Sequence, residues 1–95
     1  MFIILLKFSE NKSKAGQFMD DHNKWIQQGY DDGVFLVAGG LQPSLGGGIV
    51  AHNSSLTELQ NRISRDPFVA ENVVCAEILE ITPSKVDERL QFLLD

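Results

Sequence analysis

Ninety-five residues make one domain with a small core, a size at which association with a second chain helps stability. Apolar residues are 43% and charged residues 22%, so the chain belongs with soluble globular proteins rather than disordered ones. The net charge is −5 and no Lys/Arg cluster could follow a phosphate backbone, so nucleic acid is not an expected partner.

Phe2 to Phe8 reads as a short first strand. The apolar run Met1 to Leu6 is too short to span a bilayer and lacks a basic region and cleavage site. No membrane partner is expected, and a cytoplasmic location is the default. Residues from about 14 to 31 form a helix, stopped at Asp31, Asp32 and Gly33. Its apolar positions Phe18, Met19, Trp25, Ile26 and Tyr30 follow one helical stripe. His22 lies inside that stripe. Val34 to Leu41 is a second strand, with Gly39-Gly40 near its end. Glycine inside a strand marks a bulge or a close approach to the backbone, and a bulge is the reading expected here. Pro43 to Gly47 is a hairpin connection, and Gly48 to His52 a third strand. Ser55-Leu56-Thr57-Glu58 is a capping box opening a helix from about Leu56 to Arg65. Asp66-Pro67 ends it, because the residue before proline avoids the helical region. Val73 to Thr82 is a fourth strand, and Pro83-Ser84 precedes a short amphipathic helix over residues 84–95.

The order β-α-β-β-α-β is the split βαβ, ferredoxin-like arrangement. The expected fold is α+β, an antiparallel sheet with two helices on one face plus the C-terminal helix. Strands 1 and 4 are apolar on both alternations: Phe2, Ile4 and Leu6 against Ile3 and Leu5, then Val74, Ala76 and Ile78 against Val73, Cys75 and Leu79. A face open to water would alternate with polar residues. The second face therefore needs a cover, and a homodimer supplies it. The alternative cover is the terminal helix folded back.

An imidazole inside an apolar stripe needs a hydrogen-bond partner. Such a histidine is either a satisfied core residue or part of a site. Asp66 suits an N-cap, with Pro67 at the first helical position of one more turn. A cap and a functional role are compatible, one oxygen capping while the other meets an imidazole. Helices packed side by side make contact between His22 and Asp66 geometrically possible. Cys75, alone in an apolar run, reads as a small buried hydrophobe. His52 reads as exposed. One inward histidine is too few ligands for a metal site.

The chain resembles the YciI-like, YCII-related family, itself similar to the dimeric α+β barrel group that includes muconolactone isomerases. His22, Leu36-Val37-Ala38-Gly39-Gly40 and Asp66-Pro67-Phe68 carry the resemblance, in family order, over roughly residues 1–83. It implies a dimeric α/β barrel and a His/Asp pair at His22 and Asp66. Two departures stand out. Met19 lies where many members have arginine, and Gly40 where many have proline. The segment after Pro83 is an addition.

From this follow two expectations. One is a cofactor-independent enzyme in which His22 does acid–base chemistry, oriented by Asp66, on a small, partly apolar molecule bordered by Gly39, Gly40, Trp25 and Phe68. The reaction class would be elimination or isomerisation, with no cofactor and no metal. The other is a module on the same fold that binds a small molecule without turnover, or only dimerises.

Overall fold

The computed structural model describes residues 1–94. Four strands make one antiparallel sheet in the order β2-β3-β1-β4: β1 (Phe2–Phe8), β2 (Phe35–Leu41), β3 (Gly46–Ala51) and β4 (Val74–Glu80). Three α-helices accompany them, α1 (Ala15–Asp31), α2 (Leu56–Ser64) and the single turn α3 (Pro67–Ala70). The α+β, ferredoxin-like arrangement expected from the sequence is the one present.

The apolar runs explain where the core sits. Phe2, Ile4 and Leu6 of β1, Phe35 of β2, Ile49 and Ala51 of β3 and Val74 of β4 are buried on one face. Against them lie Leu59 and Ile63 of α2, with Phe18 and Trp25 of α1 packed alongside. Each fully buried Leu or Ile contributes about 1.5–3 kcal/mol relative to exposure. Gly29 lets α1 approach the sheet: a Cβ there would collide with the Phe35 ring.

Helix α2 begins where the capping box places it. Ser55 Oγ accepts from Glu58 N at 3.1 Å, and Glu58 Oε1 accepts from Ser55 N at 3.2 Å. Those bonds hold the Glu58 carboxyl below its ordinary value. The end of α1 is tied to α2 by Arg62 Nη1 donating to Asp32 Oδ2 at 2.9 Å. Hydrogen bonding from Gln28, then from Arg62, holds the Asp32 carboxyl below its usual range.

Five expectations need correction. β3 begins at Gly46 rather than Gly48, because Gly46 and Gly47 pair with both β1 and β2. Pairing on two sides outweighs glycine's poor strand propensity. The bulge in β2 sits between Phe35 and Val37, and Gly39 and Gly40 lie in a regular ladder. Cys75 is exposed rather than buried, because its side of β4 is the face without helices. The terminal helix is instead a kinked 3-10 segment, Glu88–Leu94, with no buried residue. Too short to nucleate an α-helix alone, it packs against the end of the sheet through Phe92 on His52, which is half-buried rather than exposed. Residue 95 of that expected helix lies outside the described residues.

The second face of the sheet is uncovered in the single chain. Val37 is 58% exposed, Leu79 43% and Ile81 43%. The C-terminal segment does not lie across it.

Candidate functional site

The site is built where α1 meets the start of α3. Asp66 precedes Pro67 and takes an extended conformation, φ −61° and ψ 123°. Its side chain turns back as an N-cap, and Oδ1 accepts from Phe68 N at 3.0 Å. The α1 stripe delivers His22 to the same place, where Nδ1 meets Asp66 Oδ1 at 2.7 Å. Cap and imidazole thus converge on one carboxylate oxygen, not on two as the sequence suggested. Asp66 Oδ2 is buried and has no partner among the described residues. Asp66 itself is fully buried.

This geometry defines one tautomer. With Asp66 as the acceptor and the ring neutral, Nδ1 carries the hydrogen and Nε2 the lone pair. Nε2 has no partner among the described residues and is not among the buried unpartnered atoms. The Phe68 ring lies flat on the imidazole, with centroids 3.9 Å apart and planes 6° from parallel. Phe68 therefore acts twice, through its N–H on Asp66 and its ring on His22. Trp25 stands behind, 6.0 Å from the imidazole centroid, with Nε1 donating to Arg62 O at 3.0 Å.

The imidazole opens into a cavity of about 390 Å³ at the end of the sheet. That volume is in the range of small-molecule sites. One wall is the outer half of the α1 stripe, Met19, Ile26 and Tyr30, which the periodicity had assigned to the core. Leu6 and Phe8 of β1 form another, and Gly39, Gly46 and Gly47 give a floor of bare backbone. Asn23, next to His22 in sequence, is the polar neighbour. Among the described residues no Lys or Arg lines the space, and Met19 stands in its wall.

The structure thus brings together His22, Asp66, Phe68 and Gly39. Trp25 does not line the cavity; it lies between His22 and Phe35. Gly40 does not line it either and lies toward the hairpin, beside the Gln42 side chain. Met19, Asn23, Ile26 and Tyr30 were missed as cavity residues. The signal was present: a stripe too wide for one seam against the sheet must overhang something.

With this geometry in place, comparison with known proteins gives a class. Residues 1–84 match the YCII-related domain, and the chain belongs to that family. Among solved structures it is similar to the 5-chloro-2-hydroxyhydroquinone dehydrochlorinase TftG from Burkholderia phenoliruptrix AC1100, determined in complex with 2,5-dihydroxybenzoquinone. The TM-score is 0.69 at 11% identity, over 85% of this chain and 93% of that one, a likeness of fold. No curated protein matches the sequence. Among the described residues no helix is long and apolar enough to cross a membrane.

Proposed function

We propose that the protein is a cofactor-independent enzyme that eliminates from, or isomerises, a small, partly apolar molecule. The observation that carries this reading is the Nδ1–Oδ1 contact of 2.7 Å beside a cavity that His22 lines. A positioned imidazole of defined tautomer is a general base, and the carboxylate behind it stabilises the positive charge that forms on the ring. In an elimination, Nε2 takes the proton. The electron pair left behind forms a new π bond, and the leaving group departs with its own bonding pair. In an isomerisation the same nitrogen returns the proton to a different atom.

The walls narrow the substrate. Side chains of α1 face a glycine floor, which suits a flat ring lying against backbone. A Cβ at Gly39 would meet nothing within 4 Å, so the chain's own packing does not require glycine there. Without Lys or Arg in the wall, nothing selects a strongly anionic group. A hydroxylated or halogenated ring fits these features, and the neighbouring fold of a dehydrochlorinase supports the same class. The reading includes a homodimer, with a second copy over the uncovered sheet face.

The test is turnover of chlorinated hydroquinols and related rings, followed by halide release and by solvent-proton exchange. His22→Ala should lose about 10²–10⁴-fold in rate where wild type turns over. A ring that stabilises wild type thermally without turnover, and loses that stabilisation in His22→Ala, would favour the binding module instead. Turnover undiminished in His22→Ala would overturn the acid–base role.

A further inference from the structure

A second cavity, of about 380 Å³, lies at the other end of β1. Phe2 lines it, whereas Leu6 and Phe8 line the cavity beside His22. The two are similar in size, and both fall in the range of small-molecule sites. The second is built where three elements end. His52 and Asn53 follow β3, and Glu80 closes β4. Phe92 and Leu93 of the C-terminal segment form the remaining wall. The Phe92 ring stands edge-on to His52, with centroids 5.3 Å apart and planes at 70°. These two wall residues lie beyond residue 84, where the family match ends, so the family domain alone does not complete this cavity.

Glu80 is the one charged side chain in the lining, and among the described residues no Lys or Arg joins it. The Met1 amine donates to Ile81 O at 2.8 Å, and Glu80 makes no ion pair among the described residues. None of the side-chain hydrogen bonds among those residues engages Glu80, His52 or Asn53. An unengaged carboxylate selects a cation, and charge-assisted hydrogen bonds are the strong ones. The chain's net charge of −5 adds attraction at a distance. Phe2, Phe92 and Leu93 favour an apolar body behind that charge. A metal ion fits less well, because no group of three or more His, Cys, Asp or Glu stands together among the described residues.

We propose that this cavity binds a small organic ammonium ion, its charged group on Glu80 and its apolar body against Phe92 and Leu93. The site is separate from His22 and does not rest on the reaction proposed above. It gives the C-terminal segment, which has no buried residue of its own, a role as a wall.

The experiment titrates the full chain with phenethylammonium, and with phenylacetate as the ion of opposite charge. It follows Tm and the His52 ring signals in ¹H–¹⁵N spectra. Phenethylammonium should shift those signals saturably and raise Tm, and phenylacetate should do neither. Glu80→Gln should weaken binding at least about tenfold, and Phe92→Ala about fivefold. Both positions are exposed, and circular dichroism checks that each variant folds. His22→Ala should bind the ion as wild type does. No saturable shift at millimolar concentration, or equal binding of the two ions, would overturn the proposal. So would binding undiminished in Glu80→Gln or in Phe92→Ala. Binding lost in His22→Ala would place the ion in the other cavity and overturn it as well.

Discussion

Asp66→Ala separates what the carboxylate does for the fold from what it does for chemistry. The substitution removes an N-cap, which costs about 1 kcal/mol. It also leaves the buried Nδ1–H of His22 without an acceptor, at about 1–3 kcal/mol. Against this, it removes Asp66 Oδ2, a buried oxygen with no partner among the described residues, whose desolvation penalty is of the same size, about 1–3 kcal/mol. The two like terms offset, and the balance is a loss of about 1 kcal/mol. Breaking a fully satisfied buried ion pair would cost about 3–5 kcal/mol. At this chain length the smaller loss lowers Tm by about 4–8 °C. Urea unfolding of wild type and variant should give parallel transitions with the same slope and a shifted midpoint. Any turnover should fall far more than stability does. A loss of about 4 kcal/mol or more would refute the reasoning, because it would make Asp66 a keystone of the fold. A carboxylate left half-unsatisfied at modest structural benefit is what a stability–activity trade-off retains.

Gly29→Ala should destabilise by about 1–2 kcal/mol, because overpacking against Phe35 outweighs the better helix propensity of alanine. Gly16→Ala in the same helix, where an added Cβ meets nothing within 4 Å, should instead stabilise by about 0.5 kcal/mol; equal effects in thermal unfolding would contradict this account of α1. The Glu58 carboxyl titrates below its ordinary value in the folded chain, held there first by the Ser55 backbone N–H and then by its hydroxyl. Its contribution is therefore present above the unfolded value and is lost as pH falls through the folded one. The stability gap between wild type and Glu58→Gln should close as pH is lowered from about 6 to about 3, and a constant gap would mean that the charge adds nothing to the cap.

Local features were legible because their causes are local. Ser55 and Glu58 lie three apart, and a capping box needs nothing else. Asp66-Pro67 marks a helix start by backbone sterics alone. The His22 stripe was legible as a period, and the family motifs placed Asp66 opposite it. Other features depend on tertiary context. Gly46 and Gly47 read as a turn, yet strands on both sides hold them in β3. Cys75 read as buried because its strand is apolar on both alternations, and a single chain covers only one. The outer stripe of α1 looks the same in sequence whether it faces a core or a cavity. Residues 84–94 carry the apolar pattern of a helix but have no surface in the chain to complete one.

The central claim is that Asp66 holds His22 with hydrogen on Nδ1 and a lone pair on Nε2. Long-range ¹H–¹⁵N spectra of the histidine rings read this tautomer directly. The chain has two histidines, so His52→Asn assigns the signals. With the neutral ring in wild type, His22 should show protonated Nδ1 and bare Nε2, and a bound ring compound should perturb Nε2 alone. The opposite tautomer, with hydrogen on Nε2, would leave the cavity facing a donor instead of a base and would contradict the account.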